Sequence, residues 1–137
     1  MTERDNASAM TEQVVHRMLK AISDGDGESL AACLHNELVF TMPGLTEIRG
    51  TFQGVDAFNA ISADVMSHLS TPIALTVNNV IVAGEWATVE ATGTATTNSG
   101  EPYNNHYCFV WRIVDGLVVE MKEYHDTDLV RRVLLTG

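Results

Sequence analysis

A carboxylate and two histidines fall on two neighbouring stretches near the end of the chain. Glu123 and His125 lie two residues apart, and His106 lies on the stretch before them. Side chains two apart on a strand share a face. Set among Cys108, Val110, Val119 and Met121, such groups would titrate in apolar surroundings. Burial there raises a carboxyl pKa and fits Glu123 to act as acid or base near neutral pH. His106 could polarise a carbonyl or relay a proton. Glu90, on an earlier stretch, is a second carboxylate; two close carboxylates share a proton and titrate as a pair. A base facing an enolisable carbon and a donor facing its carbonyl are the minimum for an aldol cyclisation, isomerisation or dehydration.

The elements that must hold these groups are two alternating segments, Tyr103–Val114 and Leu117–Asp126, joined at Asp115-Gly116. Asp-Gly between alternating segments signals a two-residue hairpin, since a primed turn needs positive φ at its centre. A loop of those two residues pairs His106 with His125 and Cys108 with Glu123. On that register His106, Glu123 and His125 cluster on one face, and Tyr107, Phe109 and Trp111 face away. A bulge would change this parity.

Upstream, Val14, Val15, Met18, Leu19 and Ile22 form one apolar stripe, which predicts a helix over 10–24. Residues 1–9 read as frayed or disordered. Gly25 stops the helix and Asp26 caps a short one, Glu28–His35. Leu38–Met42 reads as a strand ended by Pro43-Gly44, with a loop or short hairpin to about Thr51. Phe58, Ile61, Val65 and Leu69 predict a third helix over Val55–Leu69. Strands follow at Ile73–Ala83 and Trp86–Thr97, ahead of the hairpin. Helices before a long meander give an α+β fold: a curved antiparallel sheet wrapped as a cone on three helices around an interior pocket.

The 137 residues read as one domain, 1–137, with 45% hydrophobic and 19% charged residues. A net charge of −10 argues against nucleic acid and anionic membrane as partners. Cys33 and Cys108 read as free thiols of a reducing compartment, and no metal-binding spacing involves them. The polar N-terminus holds no secretory signal. No apolar run approaches the ~18–20 residues of a membrane span. The location expected is cytoplasmic.

Several motifs in order resemble the nuclear transport factor 2-like superfamily, in its SnoaL-like branch of polyketide cyclases, ketosteroid isomerases and limonene-epoxide-hydrolase relatives. They are Ser23-Asp24-Gly25-Asp26 after the first helix, Val39-Phe40-Thr41-Met42-Pro43-Gly44, the Gly50-Thr51-Phe52-Gln53-Gly54 step, and Gly116-Leu117-Val118-Val119-Glu120 running on to Glu123-Tyr124-His125-Asp126-Thr127. The resemblance implies a pocket between sheet and helices, acid–base chemistry without a cofactor, a small-molecule substrate and a homodimer. Glu123, His106 and Glu90 are then the catalytic candidates. Met18, Phe40, Met42, Phe58, Cys108, Met121 and His125 are the candidates to line the pocket.

The branch's individual activities are matched unevenly. Met18 stands where ketosteroid isomerases carry a helix tyrosine, and Met42 stands where their base precedes the proline. Both isomerase signatures are missing. The epoxide-hydrolase acid–arginine–acid triad falls on Thr92, Glu90 and Glu123, so of the two acid positions only Glu123 keeps its acid, and Glu90 stands in place of the arginine. Polyketide cyclases pair an acid on the final strands with a histidine on the neighbouring one, which His106 with Glu123 or Asp126 fits better.

Each candidate has a structural alternative. His106 could bond the backbone or Asn105, Glu123 could pair with Arg112 or Lys122, and Glu90 could sit on an exposed face. Asp126 could cap Thr127–Leu135. Met18, Met42 and Met121 could fill core. Tyr107, Phe109 and Trp111 could be a dimer contact or core. An acid–base enzyme, a carrier of small hydrophobic ligands and a dimerisation module all remain open readings.

Overall fold

The computed structural model describes residues 2–44, 46 and 49–135. Helix α1 spans Glu3–Asp24, α2 Gly27–Ala32 and α3 Val55–Ser67. Strands are β1 Leu34–Met42, β2 Gly50–Gln53, β3 Ala74–Ala83, β4 Trp86–Thr94, β5 His106–Val114 and β6 Leu117–His125. A short helix α4, Thr127–Leu129, and a π-helical turn, Val130–Leu134, follow. The six strands form one sheet in the order β2-β1-β6-β5-β4-β3. All neighbours run antiparallel except β1 and β6, which run parallel. This is the expected α+β cone: a curved, unclosed sheet with helices against its concave face. Part of the expected loop after Pro43 falls on residues 45, 47 and 48, outside the described ones. No helix among the described residues is long and apolar enough to cross a membrane.

The apolar stripe of α1 does what its spacing predicts. Val14, Val15, Met18 and Leu19 are buried against the sheet, each full burial contributing about 1.5–3 kcal/mol. The helix nevertheless begins at Glu3, so residues 3–9 are ordered helix rather than frayed chain. Two causes explain this. Thr2 and Asp5 form a capping box: Thr2 Oγ1 accepts from the Asp5 N–H, and Asp5 Oδ2 accepts from the Thr2 N–H, each at 3.1 Å. Further along, Ser8 Oγ accepts from the Gly84 N–H at 2.8 Å and Thr11 Oγ1 donates to the Gly84 carbonyl at 2.7 Å. The β3–β4 turn thus clasps the first turns of a polar segment that has no apolar stripe of its own.

The β5–β6 hairpin turns as predicted, with Asp115 and Gly116 both at positive φ, 51° and 79°. Val114 pairs with Leu117 and Ile113 with Val118. The register then shifts, and Arg112 pairs with Glu120, Phe109 with Glu123 and Tyr107 with His125. Val119 is the additional residue of a β-bulge. Its effect is to turn β5 over relative to the expected register. Tyr107, Phe109, Trp111 and Ile113 face the helices and are buried, and His106, Cys108, Val110 and Arg112 face out.

Gly93 on β4 sits where this inward row needs room. A Cβ there would lie 2.8 Å from both Ile73 Cγ2 and Tyr107 Cε2. Gly93→Ala should therefore cost about 1–3 kcal/mol through overpacking. A urea midpoint unchanged from the parent would show that the Tyr107 ring is not held against this backbone.

Candidate active site

A cavity of about 230 Å³ opens between the concave sheet face and the helices. Phe40 and Met42 of β1, Phe58 of α3 and Met121 of β6 line it, as expected. Phe40 and Phe58 meet edge to face with centroids 5.2 Å apart, an arrangement favoured by the ring quadrupoles. Met18 does not line the cavity. It is fully buried in the core behind, where the α1 stripe packs on the sheet.

The bulge decides the fate of the other candidates. His106 is exposed and pairs with Thr92 on the outer face. Cys108 lies beside Glu90 and Tyr124 on that same face. Glu90 is exposed, and its Oε1 accepts from Asn79 Nδ2 at 3.2 Å. The alternation of β4 buries Ala87, Val89, Ala91 and Gly93, leaving Glu90 and Thr92 to point away. The expected His106–Glu123 pair and the two-carboxylate pair with Glu90 are therefore not assembled. No arginine or acid of β4 faces the cavity to complete an epoxide-hydrolase triad. Among the described residues no three His, Cys, Asp or Glu side chains converge as a metal site would require.

What the structure does bring together is Glu123 and His125. They are neighbours on the inner face of β6, both in the cavity wall. His125 Nδ1 is 3.0 Å from Glu123 Oε2. The imidazole is 2% exposed and the carboxyl 26%. With Nδ1–H donating to the carboxylate, the ring's remaining lone pair is on Nε2. That atom is buried with no protein partner among the described residues. A carboxylate that fixes the tautomer of a histidine in this way makes the free nitrogen a directed base.

Two tyrosines, Tyr103 and Tyr107, complete the polar end, and neither was among the residues nominated from sequence. Both line the cavity and are hydrogen-bonded to each other. Burial pushes the Tyr107 phenol far above its usual range, and its electrostatic interactions with Tyr103 and Glu123 push it further. Burial also raises Tyr103, while its bonds from Asn105 and Tyr107 pull it partly back. Both phenols are thus protonated donors rather than phenolates.

Asn105 organises this end. It is 1% exposed and uses both ends of its amide. Nδ2 donates to the Tyr103 hydroxyl at 3.0 Å and to the Asp126 carbonyl at 3.2 Å. Oδ1 accepts from the N–H groups of His106 at 2.7 Å and Asp126 at 3.0 Å. It ties the start of β5 to the end of β6, next to His125. Asp126 caps helix α4, its Oδ1 accepting from the N–H of Asp128 at 3.0 Å and of Leu129 at 3.2 Å. A sequence signal for the inward tyrosine did exist. The row Tyr107, Phe109, Trp111, Ile113 is more apolar than the row His106, Cys108, Val110, Arg112, and burial follows hydrophobicity before it follows an assumed register.

Residues 15–121 match the family of the SnoaL-like domain. No curated protein matches the chain at a significant level. Solved structures share the fold at low identity. An NTF2-like protein of unknown function from Burkholderia pseudomallei K96243 is 24% identical with a TM-score of 0.82, covering 91% of this chain and 97% of that one. A candidate SnoaL-like polyketide cyclase from Jannaschia sp. CCS1 is 17% identical with a TM-score of 0.79, covering 95% and 94%. An LEH-like epoxide hydrolase from M. tuberculosis is 17% identical with a TM-score of 0.74, covering 95% and 92%.

Proposed function

The chain belongs to the SnoaL-like domain family, and from that premise we propose a cofactor-independent acid–base enzyme for a small, largely apolar substrate bearing a carbonyl. The observation that carries this reading is the 3.0 Å pair of Glu123 and His125 at one end of an apolar cavity. The solved neighbours support the fold alone, because one fold hosts many reactions. The chemistry rests on this chain's own residues.

In this reading Nε2 of His125 removes a proton from the carbon next to the substrate carbonyl. The electron pair moves onto the carbonyl oxygen, and an enolate forms. The resulting imidazolium is held by the Glu123 carboxylate. Tyr103 is the donor to the enolate oxygen, since its own oxygen already accepts from Asn105 and Tyr107 and its proton is left for a third partner. Such a donor typically contributes about 10²–10³-fold. Return of the proton at another carbon is an isomerisation, its delivery to a departing hydroxyl is a dehydration, and attack of the enolate on a second carbonyl is a cyclisation.

The test uses 2-tetralone, an apolar ketone with acidic α-protons, in deuterated buffer, with exchange followed by proton NMR. The protein should accelerate exchange well beyond buffer. Tyr103→Phe should lower the rate by about 10²-fold. Binding of 2-tetralone without acceleration would overturn the enzymatic reading and leave a ligand carrier, which the apolar walls also suit.

The outward residues supply a control. His106→Ala and Glu90→Gln should leave the exchange rate within about twofold, since exposed substitutions away from a site have small effects. A tenfold loss in either would return that residue to the chemistry.

A further inference from the structure

The acid–base reading uses one end of the cavity and leaves the other unexplained. There stands Trp111, a wall of the cavity with 0% exposure. Its Nε1 is buried with no protein acceptor among the described residues. A buried indole N–H ordinarily finds a partner. Tyr107, Phe109 and Trp111 form a continuous stack along β5, with successive centroids 5.4 and 5.2 Å apart and rings within 15° and 19° of parallel. Tyr107 pairs with His125 and Trp111 with Met121. The ring centroids at the two ends of this stack therefore lie roughly 10 Å apart. Between them the sheet wall is Phe109 with Glu123 opposite it, followed by Met121 opposite Trp111. Two residues of the wall thus carry a buried nitrogen without a protein partner among the described residues, His125 Nε2 towards one end and Trp111 Nε1 towards the other.

We infer that Trp111 is a specificity-determining residue whose Nε1–H binds a hydrogen-bond acceptor at the far end of the substrate. The substrate class is then a flat, elongated, apolar molecule. It carries its reacting carbonyl at the His125 end and a second oxygen acceptor at the opposite end. The choice of reacting end rests on the acid–base reading above; the Trp111 contact does not.

The test compares two probes of nearly equal shape, 6-acetyl-2-tetralone and 6-isopropenyl-2-tetralone. Only the first has an acceptor at the far end. It should bind the intact protein about tenfold more tightly, the worth of one good hydrogen bond to a buried donor. That preference should vanish in Trp111→Phe. In the ¹⁵N-labelled protein the Trp111 indole N–H resonance should move downfield with the acetyl probe and not with the isopropenyl probe. Trp86, which is 40% exposed on the outer face, is the internal reference. This arm needs no variant and decides the matter even where Trp111→Phe folds poorly. Equal affinities, failure of both probes to bind, or an indole resonance indifferent to the acetyl group overturns the inference. Loss of α-proton exchange with the acetyl preference intact would instead overturn the acid–base reading alone.

Discussion

Replacing His125 with asparagine should lower the rate of α-proton exchange in 2-tetralone by about 10²–10⁴-fold, the usual contribution of a positioned general base. Asparagine keeps a polar group at the strand end but offers no basic nitrogen. Glu123→Gln should cost about 10²-fold, at the upper end of what groups that orient a functional histidine contribute. The amide removes the negative charge that holds the imidazolium and can bond Nδ1 in either sense, so the ring loses its fixed tautomer. The two losses should not add in the double variant, because Glu123 acts through His125. Melting temperatures separate this from unfolding: the carboxyl is 26% exposed and replaced by an isostere, so Glu123→Gln should melt close to the parent. An exchange rate within twofold of the parent in His125→Asn would remove the histidine from the chemistry.

The largest effect on stability should come from Asn105→Ala. The side chain is 1% exposed and makes four hydrogen bonds, to the Tyr103 hydroxyl, the Asp126 carbonyl and the N–H groups of His106 and Asp126. Alanine leaves these partners without their mate beside a buried core. Each such orphan costs about 1–3 kcal/mol, with solvent and small shifts recovering part. A net loss of about 3 kcal/mol is expected, or roughly 10–15 °C in melting temperature for a chain of this size. Tyr103 should feel the same change, since its bond from Asn105 lowers the phenol pKa. Removing that bond leaves burial to push the phenol higher still, so the Tyr103 titration should move up. A melting temperature within 2 °C of the parent would mean that Asn105 is not the clasp between β5 and β6.

Much of the fold was legible because it follows from local rules. The stripe Val14, Val15, Met18, Leu19 set the first helix against the sheet. Phe58, Ile61 and Val65 gave α3, and Asp115-Gly116 gave the turn. On β6 the strand parity held beyond the bulge, and Met121, Glu123 and His125 do line one cavity. The failure began at Val119. A bulge there adds one residue to one strand, and every pairing inferred from the turn beyond it is off by one. That single residue carried His106 and Cys108 to the outer face and brought Tyr107, Phe109 and Trp111 inward. Nothing in Val118-Val119-Glu120 marks a bulge by itself; it satisfies the packing of the inward aromatic row, which is a tertiary demand. The ordered start of α1 was hidden for a similar reason, because Ser8 and Thr11 are held by Gly84, far along the chain. The expected catalytic partner of Glu123 was His106 across the hairpin, with His125 only in the pocket wall; the partner the structure supplies is His125, two residues along the same strand.

The most direct test of the account is the tautomer of His125, read by ¹⁵N NMR of histidine-labelled protein at neutral pH. His125→Asn assigns its signals among those of the five histidines. The account predicts a proton on Nδ1, hydrogen-bonded to Glu123, and an unprotonated Nε2 whose shift responds when 2-tetralone is added. A proton on Nε2 in the free protein would contradict it, because the cavity would then face a donor where the chemistry requires a base.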